Sequence, residues 1–117
     1  MERLRQRADF LAAAASGTKL PAAAFVLQAR KRSDEGPVRL GFTVSKKVGN
    51  AVERNRVRRR LREIVRLLDT KRMQAGYDYV VIGRRAALTV PYDAMTKDFE
   101  GALRRLHAGR NDNTGSR

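Results

Sequence analysis

The sequence predicts an α+β two-layer sandwich, in which helices cover the apolar face of a single β-sheet. Three observations support this fold class: two segments in which apolar and polar residues alternate, an arginine-rich helical segment with one apolar stripe, and an almost continuously apolar strand after it. A length of 117 residues suits one domain. We assign this domain to residues 1–107 and expect a disordered C-terminal tail at 108–117.

The first elements are a short helix and two strands. The helix is predicted over residues 7 to 15, where good helix formers precede Gly17. Alternation then predicts a strand with Phe25, Leu27 and Ala29 on its apolar face. The next strand places Val38, Leu40, Phe42 and Val44 on one face and Arg39, Gly41, Thr43 and Ser45 on the other. We expect the two strands to pair as an antiparallel hairpin with one apolar face and one small, polar face.

The arginine-rich helix has a clear start and a clear buried face. Asn50 can cap it, and Glu53 three residues later completes a capping box. At about 100° per residue, the apolar side chains fall within one stripe, formed by Val57, Leu61, Ile64, Val65 and Leu68. Arg54 projects near the edge of this stripe, and we expect its long side chain to leave over the start of the helix.

The remaining elements complete the sheet and its cover. The apolar run from Tyr79 to Gly83 predicts a central strand. The last helix is predicted to start near Pro91 and to place on one face Tyr92, Met95, Phe99, Leu103 and Leu106. We expect His107, near the end of this helix, to lie at the surface.

The basic residues indicate a polyanionic partner. The chain has 26 lysines and arginines against 12 acidic residues, a net charge of +14, and residues 46 to 66 alone contain nine basic and two acidic residues. Because like charges destabilise an isolated helix, a partner must compensate them, and arginines beside a helix N-terminus suit phosphate groups. We expect RNA rather than duplex DNA, since no helix-turn-helix pair is recognisable.

Composition argues against several kinds of site. Without cysteine and with a single histidine, the chain cannot form a thiolate zinc site or a histidine-rich metal cluster. The acidic residues are scattered over loops and helix starts, and no phosphate-binding glycine loop is present. We therefore predict no catalytic residue, no metal site and no tightly bound cofactor in the protein. No apolar run reaches the ~20 residues of a membrane span and the N-terminus lacks the apolar segment of a secretory signal, so we expect a cytoplasmic protein.

One segment carries a specific family resemblance. Ser45 to Glu63, SKKVGNAVERNRVRRRLRE, closely resembles the arginine-rich signature of the bacterial ribonuclease P protein, with Arg54-Asn55-Arg56 at its centre. RLRQRADF resembles the basic N-terminus and first helix of that family, FVLQAR and RLGFTVSKK its first strands, and GYDYVVIGRRAA its final strand. The resemblance covers the chain apart from about the last ten residues.

The resemblance implies a fold, a function and partners. The fold is of the αβββαβα type with a left-handed βαβ crossover, contrary to the general preference for right-handed crossovers. The function is that of a small, non-catalytic subunit of ribonuclease P, an endoribonuclease that removes the 5′ leader of precursor tRNA. The partners are the catalytic RNA, which holds the Mg²⁺ ions for cleavage, and precursor tRNA. We expect a monomeric protein, one per RNA.

The resemblance also implies two sets of contact residues. Contact with the catalytic RNA is expected from Lys46, Arg54, Asn55, Arg56, Arg59 and Arg62. Contact with the leader or the precursor is expected from Phe10, Thr43, Ser45, Lys47, Asn55 and Arg58. Two aromatic positions that the family often has are Ala14 and Gln28 here. We expect the leader to be held less by stacking and more by charge as a result.

Two other functions remain open from the residues alone. A structural ribosomal or RNA-assembly protein would share the charge and the sandwich, but it would not explain the full signature. A stand-alone nuclease would cleave RNA without a partner, and the scattered carboxylates disfavour it.

Overall fold

The computed structural model describes residues 2–4, 7–68 and 73–115, and for residues 2, 15, 16 and 108–115 it describes the backbone alone. The helices are α1 (Arg7–Ser16), α2 (Ala51–Leu67) and α3 (Tyr92–Gly115), and the strands are β1 (Glu2–Arg3), β2 (Thr18–Pro21), β3 (Phe25–Lys31), β4 (Arg39–Thr43) and β5 (Tyr77–Gly83). Two 3₁₀ turns, Lys46–Val48 and Arg85–Leu88, precede α2 and α3. The three predicted helices and three predicted strands are confirmed, and β1 and β2 are additional.

The strands form one sheet in the order β1-β4-β5-β3-β2. β5 lies at its centre, as predicted, parallel to β4 and antiparallel to β3. The predicted hairpin between β3 and β4 is therefore wrong. β3 and β4 pair with the two edges of β5, and the helices packed on the two faces of the sheet bury β5 along almost its whole length. A hairpin between β3 and β4 would have left β5 at an edge of the sheet. β4, α2 and β5 form the βαβ unit that the resemblance implies.

The main core lies between one face of the sheet and the helices α2 and α3. The predicted apolar stripe of α2 is buried, and the side chains of Val57 and Leu61 are fully enclosed. Phe25 of β3 meets Phe99 of α3 edge to face, with ring centroids 5.7 Å apart. This packing fixes α2 on the sheet by its apolar side, so that its arginine-rich side faces away from the core.

The helix α1 packs on the opposite face of the sheet. A small apolar cluster holds it there, formed by Leu4, Ala13 and Val80 with the half-buried Phe10 and Ile82. Since α1 has only ten residues, it covers part of this face and leaves a cleft beside it.

One end of the sheet is held by a buried carboxylate. Asp78 of β5 is fully enclosed and accepts hydrogen bonds from Arg32 Nη1 at 2.7 Å and from Arg39 Nε at 2.8 Å. Burial alone would raise the pKa of Asp78, but the hydrogen bonds from the two arginines outweigh it and hold the pKa below its usual range. Charge pairing therefore ties β3, β4 and β5 together at this end.

Expectations for the last helix need correction at two places. His107 is buried, not at the surface, because it falls on the same face as Leu103, and the hydroxyl of Tyr79 lies 2.9 Å from its Nε2. Tyr92 is exposed rather than buried, since it stands at the first turn of α3. The backbone of 108–115 continues α3, and residues 116 and 117 lie outside the described residues. The disordered C-terminal tail at 108–117 stays a prediction.

Candidate RNA interface

The start of α2 is fixed by the capping box that the sequence predicts. Asn50 Oδ1 accepts a hydrogen bond from the backbone N–H of Glu53 at 2.9 Å, and Glu53 Oε1 accepts one from the N–H of Asn50 at 3.0 Å. The pKa of the Glu53 carboxyl is lowered, mainly by the hydrogen bond from the backbone N–H of Asn50 and to a smaller extent by the Arg85 guanidinium. Arg85 Nη2 lies 3.0 Å from Glu53 Oε2. The helix therefore begins at a defined position beside the basic turn Lys46–Val48.

The outer side of α2 is a cationic surface with two shallow grooves. One, of about 640 Å³, is lined by Val52, Asn55, Arg58, Arg59 and Arg62. The other, of about 810 Å³, is lined by Arg56, Arg59, Arg60, Arg62, Glu63, Arg66, Leu67 and Tyr92. Arg59 and Arg62 are exposed and border both grooves. Four of the residues predicted to bind the catalytic RNA thus lie on one surface.

Some arginines of α2 have partners within the protein. Arg60 Nε donates to the carbonyl of Ala87 at 2.7 Å, Arg60 Nη2 donates to that of Val90, and the guanidinium lies over the ring of Tyr92, 4.3 Å from its centroid. Arg54 Nη1 donates to the carbonyl of Gly49 at 2.8 Å, so its side chain turns back over the helix start as predicted. Arg60 therefore holds α2 to the segment before α3.

The basic turn before α2 carries further predicted contact residues. Ser45, Lys46 and Lys47 are exposed there, between the end of β4 and the first turn of α2. Arg85 Nη1 donates to the carbonyl of Val48 at 2.6 Å and so fixes the turn from outside. Sequence reasoning missed Arg85; its signal was the Arg84-Arg85 pair directly after the central strand.

The cleft on the other face of the sheet contains the predicted leader residues Phe10 and Thr43. It has a volume of about 440 Å³ and lies between α1 and the strands β3, β4 and β5; Arg7, Leu11, Ala14, Gln28, Phe42, Val80 and Ile82 also line it. Gln28 and Ala14, at the positions where the resemblance led us to expect aromatic residues, therefore face this cleft. We did not predict that Arg7 and Ile82 line the cleft. Ile82 could have been identified, because it lies two residues after Val80 on the same strand and so shares its face of the sheet.

Phe10 is held in the cleft by its fit against Gly41. A Cβ atom at Gly41 would lie 2.6 Å from one atom of the Phe10 ring and 2.7 Å from another, closer than carbon atoms pack. The ring of Phe10 can lie this close to β4 because Gly41 has no side chain. Phe10 both packs on the sheet and lines the cleft.

An ion pair ties α1 to the charged end of the sheet. Arg39 Nη2 lies 3.5 Å from Asp9 Oδ1, and the same guanidinium donates to the buried carboxylate of Asp78. Asp9 directly precedes Phe10, so the contact limits where α1 can place the aromatic ring.

Neither surface has the donors of a hydrolytic metal site. Over residues 2–4, 7–68 and 73–115, no three histidine, cysteine, aspartate or glutamate side chains come together in a way that could hold a metal ion. The same part of the chain contains no helix that is long and apolar enough to cross a membrane. The described side chains at the two surfaces offer cation contacts to phosphate and an apolar cleft with a few polar groups.

Comparison of the sequence with known proteins identifies one family. A model of the Ribonuclease P family matches residues 1–107. The chain is 48% identical over 103 residues to the ribonuclease P protein component of Gluconacetobacter diazotrophicus, covering 88% of this chain and 89% of that protein. It is 50% identical over 109 residues to that of Ruegeria pomeroyi, covering 90% and 86%.

Solved structures show the same fold. The ribonuclease P protein of Thermotoga maritima matches with a TM-score of 0.74 and 34% identity, over 90% of this chain and 97% of that one. The Staphylococcus aureus protein matches with a TM-score of 0.72 and 30% identity, over 89% and 94%. The arginine signature, the fold and these similarities together establish that the chain belongs to the bacterial ribonuclease P protein family.

Proposed function

We propose that this chain is the RNA-binding subunit of a ribonuclease P ribonucleoprotein and that it holds two RNAs on adjoining surfaces. The catalytic RNA lies on the cationic surface of α2 and on the basic turn before it. The single-stranded 5′ leader of precursor tRNA lies in the cleft beside α1. The RNA subunit carries out the hydrolysis.

The observation that carries this proposal is the continuity of the two surfaces. Phe42 lines the cleft, and the guanidinium of Arg62 lies 6.0 Å from the centroid of its ring. Arg62 also borders both cationic grooves of α2. The side chain of Arg62 therefore lies where the cationic surface, which suits phosphate groups, meets the cleft, which suits bases.

The catalytic RNA is contacted mainly through phosphate groups. The residues that we assign to it lie on α2 or on the basic turn before it: Lys46, Arg54, Asn55, Arg56, Arg59 and Arg62. Arg58 donates to Asn55 Oδ1 at 2.9 Å, which holds both side chains at the groove where the precursor approaches. Because neutralised phosphates release counterions, this binding weakens steeply as salt is raised.

The leader is contacted by a set of equal size with fewer charged residues. We assign to it Phe10 and Thr43 in the cleft, and Ser45, Lys47, Asn55 and Arg58 on the path from the cleft to α2. The Mg²⁺ ions needed for hydrolysis are held by the RNA subunit. The protein acts as a monomer, one per RNA, in the cytoplasm.

The test is cleavage of precursor tRNA at low Mg²⁺ in three samples: the protein alone, a bacterial ribonuclease P RNA alone, and the two together. We expect cleavage at the mature 5′ end only when the protein and the RNA are both present. Cleavage by the protein alone would instead identify a stand-alone nuclease. A mixture no more active than the RNA would favour a structural RNA-binding protein.

A further inference from the structure

An aromatic side chain outside the arginine signature is exposed in one of the two cationic grooves. Tyr92 stands at the first turn of α3, its exposed fraction is 41%, and it lines the groove of about 810 Å³. Leu67, at the end of α2, lines the same groove and is 62% exposed. Among the side chains that the structure describes, these are two of the four large apolar residues that are exposed. Their place in a groove of arginines indicates a partner that has both negative charge and a flat apolar surface.

The ring of Tyr92 is held in place by contacts within the protein. The guanidinium of Arg60 lies over the ring, 4.3 Å from its centroid, and is itself bonded to the carbonyls of Ala87 and Val90. The hydroxyl of Thr96 donates to the backbone carbonyl of Tyr92 at 2.8 Å. Since Arg60 covers one face of the ring, the other face and the edge are the parts that are exposed. A ring held in this way loses little conformational entropy when a flat group stacks on it.

The charges around Tyr92 suit a polynucleotide. Glu63 is the acidic residue of the groove, and its carboxylate accepts hydrogen bonds from Arg66, at 2.9 Å from Nε and at 2.6 Å from Nη2. This pairing offsets the negative charge, so the exposed side chains of Arg56, Arg59 and Arg62 determine the charge of the groove. Phosphate groups on these arginines would place the bases of the same strand within reach of the ring.

The position of Tyr92 favours the catalytic RNA over the leader as its partner. The helices α2 and α3 pack on one face of the sheet, whereas the cleft assigned to the leader lies on the opposite face, beside α1. In a duplex the bases are stacked on one another, so an aromatic side chain stacks on a base that is unpaired. The expected occupant is therefore an unpaired nucleotide of the RNA that lies along α2.

We propose that Tyr92 stacks on one unpaired base of the catalytic RNA, so that the interface extends beyond the arginine signature to the start of α3; the inference rests on the proposed function of the cationic surface. The phosphates next to that base lie against Arg56 and Arg59, and Leu67 adds an apolar contact in the same groove. Because every base has a flat face, the site accepts any of the four bases.

The first experiment measures the affinity of the whole protein for a bacterial ribonuclease P RNA over a series of salt concentrations. Tyr92→Leu should weaken binding by about tenfold, as expected for the loss of one stacked base, and Tyr92→Phe should bind like the wild type. The dependence of affinity on salt should be the same in Tyr92→Leu and the wild type, because no phosphate contact is lost. Arg59→Ala is the matched comparison, since loss of its phosphate contact should reduce the slope of log affinity against log salt by about 1.

The second experiment uses the fact that the sequence contains no tryptophan. Tyr92→Trp places a single indole in the groove, and a base stacked on it quenches its fluorescence. Binding of the RNA should therefore quench this variant. Lys97→Trp is the control, because Lys97 is exposed on α3 and lines neither groove, and its indole should keep its fluorescence.

The outcomes separate this inference from the proposed function. If the wild type does not bind the RNA, both fail. If the wild type binds and Tyr92→Leu binds equally well, or if Tyr92→Phe is as weak as Tyr92→Leu, the stacking inference is wrong and the proposed function stands. A lower salt slope in Tyr92→Leu would also overturn it, because Tyr92 would then act through the arginines.

Sedimentation of the protein alone tests a different occupant of the patch. Self-association of the wild type that Tyr92→Leu abolishes would identify a contact between copies of this chain and overturn the inference. If urea denaturation shows that Tyr92→Leu does not fold, Tyr92→Trp decides, since an indole that bound RNA leaves unquenched contradicts stacking.

Discussion

A single methyl group at Gly41 would displace the ring of Phe10, which lines the cleft beside α1. A Cβ atom at Gly41 would lie 2.6 Å from the nearest atom of the Phe10 ring and 3.0 Å from the Cβ of Leu4. Carbon atoms pack at about 3.5–4.0 Å, so the ring must move by about 1 Å in Gly41→Ala. Leu4 cannot yield instead, because its backbone N–H is bonded to the carbonyl of Leu40 at 2.8 Å.

Two effects of Gly41→Ala follow from this displacement. Overpacking lowers the free energy of unfolding by about 1–3 kcal/mol, and the lower backbone entropy of alanine in the unfolded chain restores about 0.5–1 kcal/mol. The net loss is therefore about 0–2.5 kcal/mol. Stacking of a base on an aromatic ring contributes about 1–3 kcal/mol, so a misplaced Phe10 weakens leader binding by about tenfold or more.

The assay is a double-mutant cycle with Phe10→Ala. Urea denaturation measures stability, and the ratio of the affinities for precursor and mature tRNA measures the leader contribution. In the Phe10→Ala background, Gly41→Ala should cost no leader affinity and much less stability, because the ring clash is gone and only the 3.0 Å contact with the Cβ of Leu4 remains. Equal losses in both backgrounds would refute the reasoning.

A matched control is available in α3. Gly101→Ala introduces a methyl group whose nearest neighbour would be the Arg104 side chain at 3.8 Å, an ordinary contact. It should stabilise the helix by up to about 1 kcal/mol and leave the leader contribution unchanged.

Three further predictions concern stability and charge. Arg60→Ala should lower the free energy of unfolding by about 1–3 kcal/mol, because it leaves two carbonyls without this donor. Arg59→Ala should leave the free energy of unfolding unchanged and weaken binding to the catalytic RNA. Urea denaturation measures the first effect and filter binding the second, and equal stability losses in the two variants would contradict the assignment. Asn50→Ala should cost about 1 kcal/mol through loss of the cap, measured by urea denaturation, and an unchanged midpoint would argue against the capping box. Asp78→Asn should cost about 3–5 kcal/mol at neutral pH, because it leaves two arginines without their carboxylate. Pairing with the arginines lowers the pKa of Asp78 below its unfolded value of about 3.9. The stability that ionised Asp78 contributes is therefore complete above that pH and is lost as the pH falls further. Thermal unfolding should show the wild type and Asp78→Asn converging in acid, and a difference that stays constant with pH would contradict the pairing.

Local features of the chain were predictable because they depend on neighbouring residues. The capping box of Asn50 and Glu53 follows from their spacing, and the buried stripe of α2 follows from the helical period. The place of β5 at the sheet centre follows from its continuous apolar run. Each of these required no knowledge of distant contacts.

Features that depend on distant contacts were missed. The alternation of β3 and β4 is compatible with a hairpin, and only the later strand β5, which pairs with both, excludes it. His107 looks like a surface residue until Tyr79, 28 positions away, supplies its partner. The network around Asp78 likewise joins residues up to 46 positions apart, and no spacing rule predicts it. The residue-by-residue roles at the interface came from the family signature and stay predictions.

The environment of each arginine explains how a chain with a net charge of +14 can fold and still bind a polyanion. Arg32 and Arg39 are held by the buried carboxylate of Asp78, and Arg60 by two carbonyls and an aromatic ring, so their cost of desolvation is offset inside the fold. Arg59 and Arg62 remain exposed and solvated, so they contribute repulsion but little packing. We expect binding of RNA on this surface to remove that repulsion and to leave the internal pairs intact. Substitutions on the outer side of α2 should therefore change affinity without changing the fold, and the internal arginines should do the reverse.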